Sequence, residues 1–115
     1  NAAFNEKIAV YKTAMNQYRP YLSIRDSFKL LKLFIEKNFF KNDIFNALSE
    51  NCTVKNILDK IKKYKKNIRI KFVSSPIMNQ LSYHVDKKKL TNEGLYLKRK
   101  IELDIKETLK ILGNI

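Results

Sequence analysis

The chain has 115 residues, 44% of them apolar, with two Gly, two Pro and one Cys, and its 24 Lys and Arg against 11 Asp and Glu leave a net charge of +13. That length holds one core and excludes two, and so large an apolar share with so little Gly and Pro excludes collagenous, linker-like and disordered classes. The lone Cys52 excludes an internal disulfide and no stretch reaches the ~20 apolar residues of a membrane span, so a reducing, cytoplasmic setting without membrane contact is expected.

No signal peptide is legible, and the Asn1-Ala2 start without Met reads as a processed end or a tag remnant. Phe4, Ile8, Tyr11, Met15 and Tyr18 follow one another at heptad spacing, which predicts a first helix over 2–19, ended by Arg19-Pro20. Ser23 or Asp26 then caps a second helix whose Phe28, Leu31, Leu33, Phe34 and Ile35 make a broad apolar face up to Lys37-Asn38, the expected central core helix. A short third helix is expected over 42–50, carrying Ile44, Phe45, Ala47 and Leu48. From Thr53 as N-cap, Val54, Ile57, Leu58, Ile61 and Tyr64 form an apolar stripe, with Lys55, Asn56, Asp59, Lys60, Lys62, Lys63 and Lys66 on the remaining surface. Short helix, turn and longer helix is the layout of a DNA-binding pair.

The alternating Ile68-Arg69-Ile70-Lys71-Phe72-Val73 and the later Asn79-Gln80-Leu81-Ser82-Tyr83-His84-Val85 read as the two strands of a hairpin wing. His84 has no second His or paired Cys to complete a ligand set, so a surface histidine is expected and no metal. Thr91 caps a long helix through Leu112, with Leu95, Leu97, Ile101, Ile105, Leu109 and Leu112 on its apolar face and Gly113 as its stop.

Charge is unevenly placed along these elements. Residues 53–100 carry fourteen Lys and Arg but three acids, so +11 of the total +13 falls there, whereas residues 1–52 carry +3 and residues 101–115 carry −1. An AT-rich genome also produces twenty Lys against four Arg, but mutational bias spreads Lys along a chain, whereas a cluster supplies phosphate attraction.

The order of parts resembles the DNA-binding head of the LysR-type regulators and the related head of the molybdate regulator ModE. The pieces that carry the likeness are residues 27–40 as the first family helix with its following aromatic, Thr53 to Tyr64 as the recognition helix, and Leu90-Thr91-Asn92-Glu93-Gly94 as a Leu-Thr-x-x-Gly signature ahead of a linker helix. Bulkier residues at Ile44 and Phe45 replace the family's Ala-Ala pair, the usual Leu-Gly-Val before the wing is absent, and the chain ends at Ile115 ahead of any effector-binding domain, as in a fragment or a stand-alone regulator.

The expectation is therefore a single domain, mainly α with a small β-hairpin wing (α+β): a winged helix-turn-helix over 26–90, with an extra N-terminal helix and a dimerisation helix over 91–112. Its expected function is binding of double-stranded DNA as a transcriptional regulator and homodimer. Thr53, Lys55 and Asn56 would meet base edges; Lys60, Lys62, Lys63, Lys66, Arg69, Lys87, Lys88 and Lys89 would meet phosphates, with Asn79 and Gln80 at the wing tip. Leu97, Ile101, Ile105, Leu109 and Leu112 would form the dimer seam. Scattered acids, the absence of a Gly-rich phosphate loop and one His argue against an enzyme, and no cofactor is expected. Two alternatives stand beside this reading: a plasmid or phage replication or partition protein, and a helical protein-interaction module whose Lys excess is compositional. The second requires that Ile68 to Val85 be loop or helix and not a hairpin.

Overall fold

The computed structural model describes residues 1–74 and 81–113. Nine short elements follow in order: β1 (Lys7–Tyr11), a 3-10 turn (Lys12–Ala14), β2 (Tyr18–Tyr21), α1 (Ile24–Glu36), β3 (Glu50–Thr53), α2 (Val54–Tyr64), β4 (Arg69–Val73), α3 (Lys88–Asn92) and α4 (Ile101–Ile111). The class is mixed α and β, with four helices and two two-stranded sheets among the described residues.

The two helices with hydroxyl N-caps form where the sequence places them. Ser23 holds extended backbone, and its oxygen accepts from the backbone N–H groups of Arg25 and Asp26 at the start of α1. Thr53 opens α2 with a reciprocal box: its Oγ accepts from the Asn56 N–H at 3.0 Å, and Asn56 Oδ1 accepts from the Thr53 N–H at 3.1 Å. Asn38, left-handed at φ 48°, lies just beyond the C-cap of α1.

The expected first helix is replaced by strands. Burial over Lys7–Tyr11 has period two: Ile8 and Val10 turn inward while Tyr11 stands out, as β-branched residues favour in a pleated segment. β1 pairs in parallel with β4, setting Ile8 beside Ile70 and Val10 beside Phe72. β2 pairs antiparallel with β3, with Pro20 opposite Asn51.

The expected hairpin wing is likewise corrected. Among the described residues β4 pairs with β1, and 81–87 forms no strand. Residues 81–85 instead run beside β2 and β3: the Tyr18 N–H donates to Ser82 Oγ, and Asn51 exchanges side-chain hydrogen bonds with both the N–H and the carbonyl of Val85. The expected tip, with Asn79 and Gln80, lies outside the described residues. The expected third helix is an irregular segment, turned at Asn42 (φ 49°), with Leu48 buried and Ile44 left outside.

The long C-terminal helix is interrupted. Gly94 at φ 74° ends α3, and Leu95 and Leu97 are both buried while Tyr96 between them is exposed. A spacing of two puts both leucines on one side of extended chain, where a helix would place them on different faces. Helix resumes at Ile101, with Glu102 and Asp104 at its positive N-terminal end.

One core cluster joins Leu30 of α1 to Leu90, Leu95 and Leu97, with Leu33, Phe34, Phe39, Phe45 and Ala47 packed against it. On the other side α2 packs on α4, and Ile61, Ile105, Leu109 and Ile8 line a shared apolar groove. Between them Asp26 is buried and satisfied: its Oδ2 accepts from Ser49 Oγ at 2.7 Å and from the Arg99 N–H at 3.0 Å. No described helix is long and apolar enough to cross a membrane.

Candidate interaction surfaces

Most of the residues expected to touch DNA are engaged inside the chain. Thr53 is buried, and Thr53 and Asn56 are both consumed by the cap of α2. Lys60 Nζ donates to Glu50 Oε1 at 2.8 Å and to Cys52 Sγ at 3.2 Å, tying α2 to β3. Lys63 Nζ donates to Glu102 of α4, which also accepts from the Tyr64 hydroxyl. Lys87 donates to three carbonyls, those of Leu48 (3.2 Å), Ser49 (3.0 Å) and Leu97 (2.7 Å), and so ties its own segment to two others. Lys89 pairs with Asp43 and lies 4.9 Å from the Phe45 ring centre. Arg69 donates to the Asn5 carbonyl. Asn79 and Gln80 lie outside the described residues.

The local electrostatics match this internal role. Burial alone would push Lys60 down, but its hydrogen bonds to Glu50 and Cys52 hold it above the ordinary lysine value. Burial likewise pushes Glu50 up, and the bonds from Lys60 and the Ile101 N–H outweigh it, leaving the carboxyl below its usual range. Burial pushes the Cys52 thiol up, so it stays protonated despite the adjacent ammonium.

What remains of the expected surface is smaller. Lys55, Lys62, Lys66 and Lys88 are exposed, with no acidic partner among the described residues. The sheet adds a feature the sequence reading passed over: the parallel register sets Lys7 beside Arg69 and Ala9 beside Lys71, with Tyr11 further along the same exposed face. Like charges side by side repel and leave a local positive field.

The expected dimer seam is divided between inside and outside. Leu97, Ile101 and Leu109 are buried in the chain's own core, Ile105 is half-buried beside Ile61, and Leu112 is exposed. The break at Gly94 takes Leu97 off the helix and into the core with Leu30, while α4 turns Ile105 and Leu109 to the groove shared with Ile61.

A different apolar surface emerges on α1. Ile24, Phe28, Leu31 and Ile35 are 81, 73, 58 and 74% exposed, and their spacings of 4, 3 and 4 put them on one stripe opposite Leu30. Arg25 and Lys32 border one side of it. Phe40 and Ile44, both well exposed, border a cleft of about 630 Å³ lined with Phe34, Phe39 and Phe45 just past the end of α1. Polar contacts tie the helix to the rest of the chain: Arg25 Nε meets Glu107 Oε2 at 2.8 Å, Arg99 bridges Glu107 and Asp104 of α4, and Lys29 Nζ reaches the Tyr96 carbonyl.

The whole molecule is also thin and open. It measures 46 × 36 × 17 Å with a radius of gyration of 16.6 Å, against roughly 13 Å for an isolated globular domain of this length. Its accessible surface of 8374 Å² exceeds by about 1,800 Å² the roughly 6,600 Å² of a compact monomer of 13.6 kDa. No protein-family model and no curated protein matches the chain.

Proposed function

We propose that this chain is a protein-docking domain that presents the α1 stripe to another folded surface. The observation that carries the reading is the row Ile24, Phe28, Leu31 and Ile35, uncovered on a helix that is capped, salt-bridged and packed on its other side. Four large apolar side chains in one row lose on the order of 1.5–3 kcal/mol each by staying in water, a cost that a partner removes. The excess surface of about 1,800 Å² belongs to the whole chain and accords with a fold that leaves apolar faces uncovered. The pairing of β4 with β1 favours docking over groove recognition, since the hairpin required by a winged helix is not formed among the described residues, but the strand Arg69–Val73 is not the loop or helix expected of a purely helical module.

The test is site-specific photo-crosslinking in the cells that make the protein. A benzophenone side chain at position 28 is expected to give a discrete protein adduct that Leu31→Asp suppresses, and one at position 62 is expected to give none. Adducts from position 62 alone would overturn the assignment.

A second reading keeps the polyanion, on a different footing from groove recognition by a helix-turn-helix. Lys7, Arg69 and Lys71 on the sheet, with exposed Lys62 and Lys66 near the junction of α2 and β4, favour non-specific phosphate contact. Fluorescence anisotropy of a random duplex should then show affinity that falls steeply with salt; no binding at low salt removes this reading.

A further inference from the structure

The exposed stripe has an orientation and a charged border, and together these indicate what covers it. Spacings of 4, 3 and 4 assign Ile24 and Leu31 to the d positions of a heptad and Phe28 and Ile35 to the a positions, the geometry that packs against a second helix. The residues that follow the d positions, Arg25 and Lys32, are then e positions, beside the seam, where charges choose the partner. Both are basic, while the opposite border carries Ser27 and Phe34 and no acid.

This pattern disfavours a second copy of the chain. In an antiparallel pair the e positions of the two helices face one another, so Arg25 and Lys32 would meet the same two cations. In a parallel pair they would face Ser27 and Phe34, which offer no charge. The net +13 on each copy adds long-range repulsion.

Resting on the docking reading above, we infer that the α1 stripe binds an amphipathic helix of an acidic partner, with apolar residues at its seam and Asp or Glu at the positions facing Arg25 and Lys32. The apolar row supplies affinity, and the two border cations select against basic and self partners. Glu107 already accepts from Arg25 at 2.8 Å, whereas Lys32 has Glu36 at 3.6 Å, so Lys32 is the freer of the two for a partner carboxylate.

The probe is a fluorescein-labelled peptide of three heptads with Leu at a and d and Glu at e and g, titrated with the full chain and followed by anisotropy. Two control peptides replace every flanking Glu by Lys, or every seam Leu by Ser. The expected result is binding of the Glu/Leu peptide at least tenfold tighter than either control. Leu31→Asp should weaken it at least tenfold, Lys32→Glu about fivefold, and Lys62→Glu with Lys66→Glu less than twofold. Each variant is first checked for an unchanged circular dichroism spectrum and unfolding midpoint, which surface positions permit. Equal binding of the Glu and Lys peptides with Leu31 still required would overturn the acidic partner and leave the docking reading standing. Binding that ignores Leu31→Asp, or no binding of any peptide, would overturn both. Sedimentation equilibrium showing a dimer of the chain that Leu31→Asp dissociates would instead identify the occupant as a second copy and overturn the inference.

Discussion

α1 and α2 begin alike and end up in opposite circumstances. Each starts at a hydroxyl N-cap and each is amphipathic, yet α2 has its apolar side covered by α4, with Lys60 and Lys63 tied to Glu50 and Glu102, while α1 leaves half of its apolar circumference in water. The lesson is that a row of lysines does not by itself mark a binding surface, and that an apolar helix need not be a core helix. On α2 several cations act as struts between elements of one chain. On α1 the uncovered chemistry is apolar, and that is where the docking reading puts a partner.

The widest gap between the two helices should appear on truncating a leucine in each. Leu58→Ala removes the buried side chain of α2 and should cost about 2–5 kcal/mol, whereas Leu31→Ala on the open face of α1 should stay within about 0.5 kcal/mol. Urea unfolding of the two variants measures both; similar losses would mean that the α1 stripe is covered in the free chain.

Lys87→Met sharpens the claim that these lysines are structural. Three carbonyls lose a charged donor, so a loss of about 1–3 kcal/mol is expected, against almost none for Lys88→Met one position away. Thermal midpoints compare the pair directly.

The caps offer a smaller contrast within the same comparison. Thr53→Ala should cost about 1 kcal/mol as the box with Asn56 is lost. Ser23→Ala should cost at least as much, because the buried Ser23 hydroxyl accepts from both the Arg25 and the Asp26 N–H.

The weakest effect is the pH dependence of the contact between α2 and β3. The Glu50 carboxyl is held below its ordinary value in the folded chain, so its contribution is fully present above the unfolded value of about 4.3. It is lost as pH falls from there through the folded value. Replacing Lys60 by Met removes one cause of the depression and should flatten unfolding free energy against pH over that acidic range. An unchanged slope would remove the strut role of Lys60.

Both long helices were legible because their signals are local: a hydroxyl on extended backbone, then apolar residues at helical spacing. The strands were not, because Phe4, Ile8, Tyr11, Met15 and Tyr18 match a heptad while the burial of Val10, which breaks that match, depends on β4 sixty residues away. The C-terminal break was more accessible, since Gly94 followed by Leu95 and Leu97 at a spacing of two is a local signature of extended chain. The candidate site was half legible. The apolar face of α1 is wider than the side that packs through Leu30, Leu33 and Phe34, so its breadth was readable, but which part of it stays uncovered depends on the rest of the fold. Its flanking cations were readable, but the internal partners of Lys60, Lys63, Lys87 and Lys89 were not, because those bonds join residues 8 to 46 positions apart.

The measurement that tests the central claim most directly is a ¹H–¹⁵N correlation spectrum of the chain titrated with the Glu-flanked helical peptide at physiological salt. The docking account predicts that the amide shifts cluster between Ile24 and Glu36 and around Phe40 and Ile44, and that Leu31→Asp abolishes them. Shifts confined to α2 and β4, around Lys55, Lys62, Lys66 and Lys71, would contradict it and return the basic segment to the centre of the molecule's function.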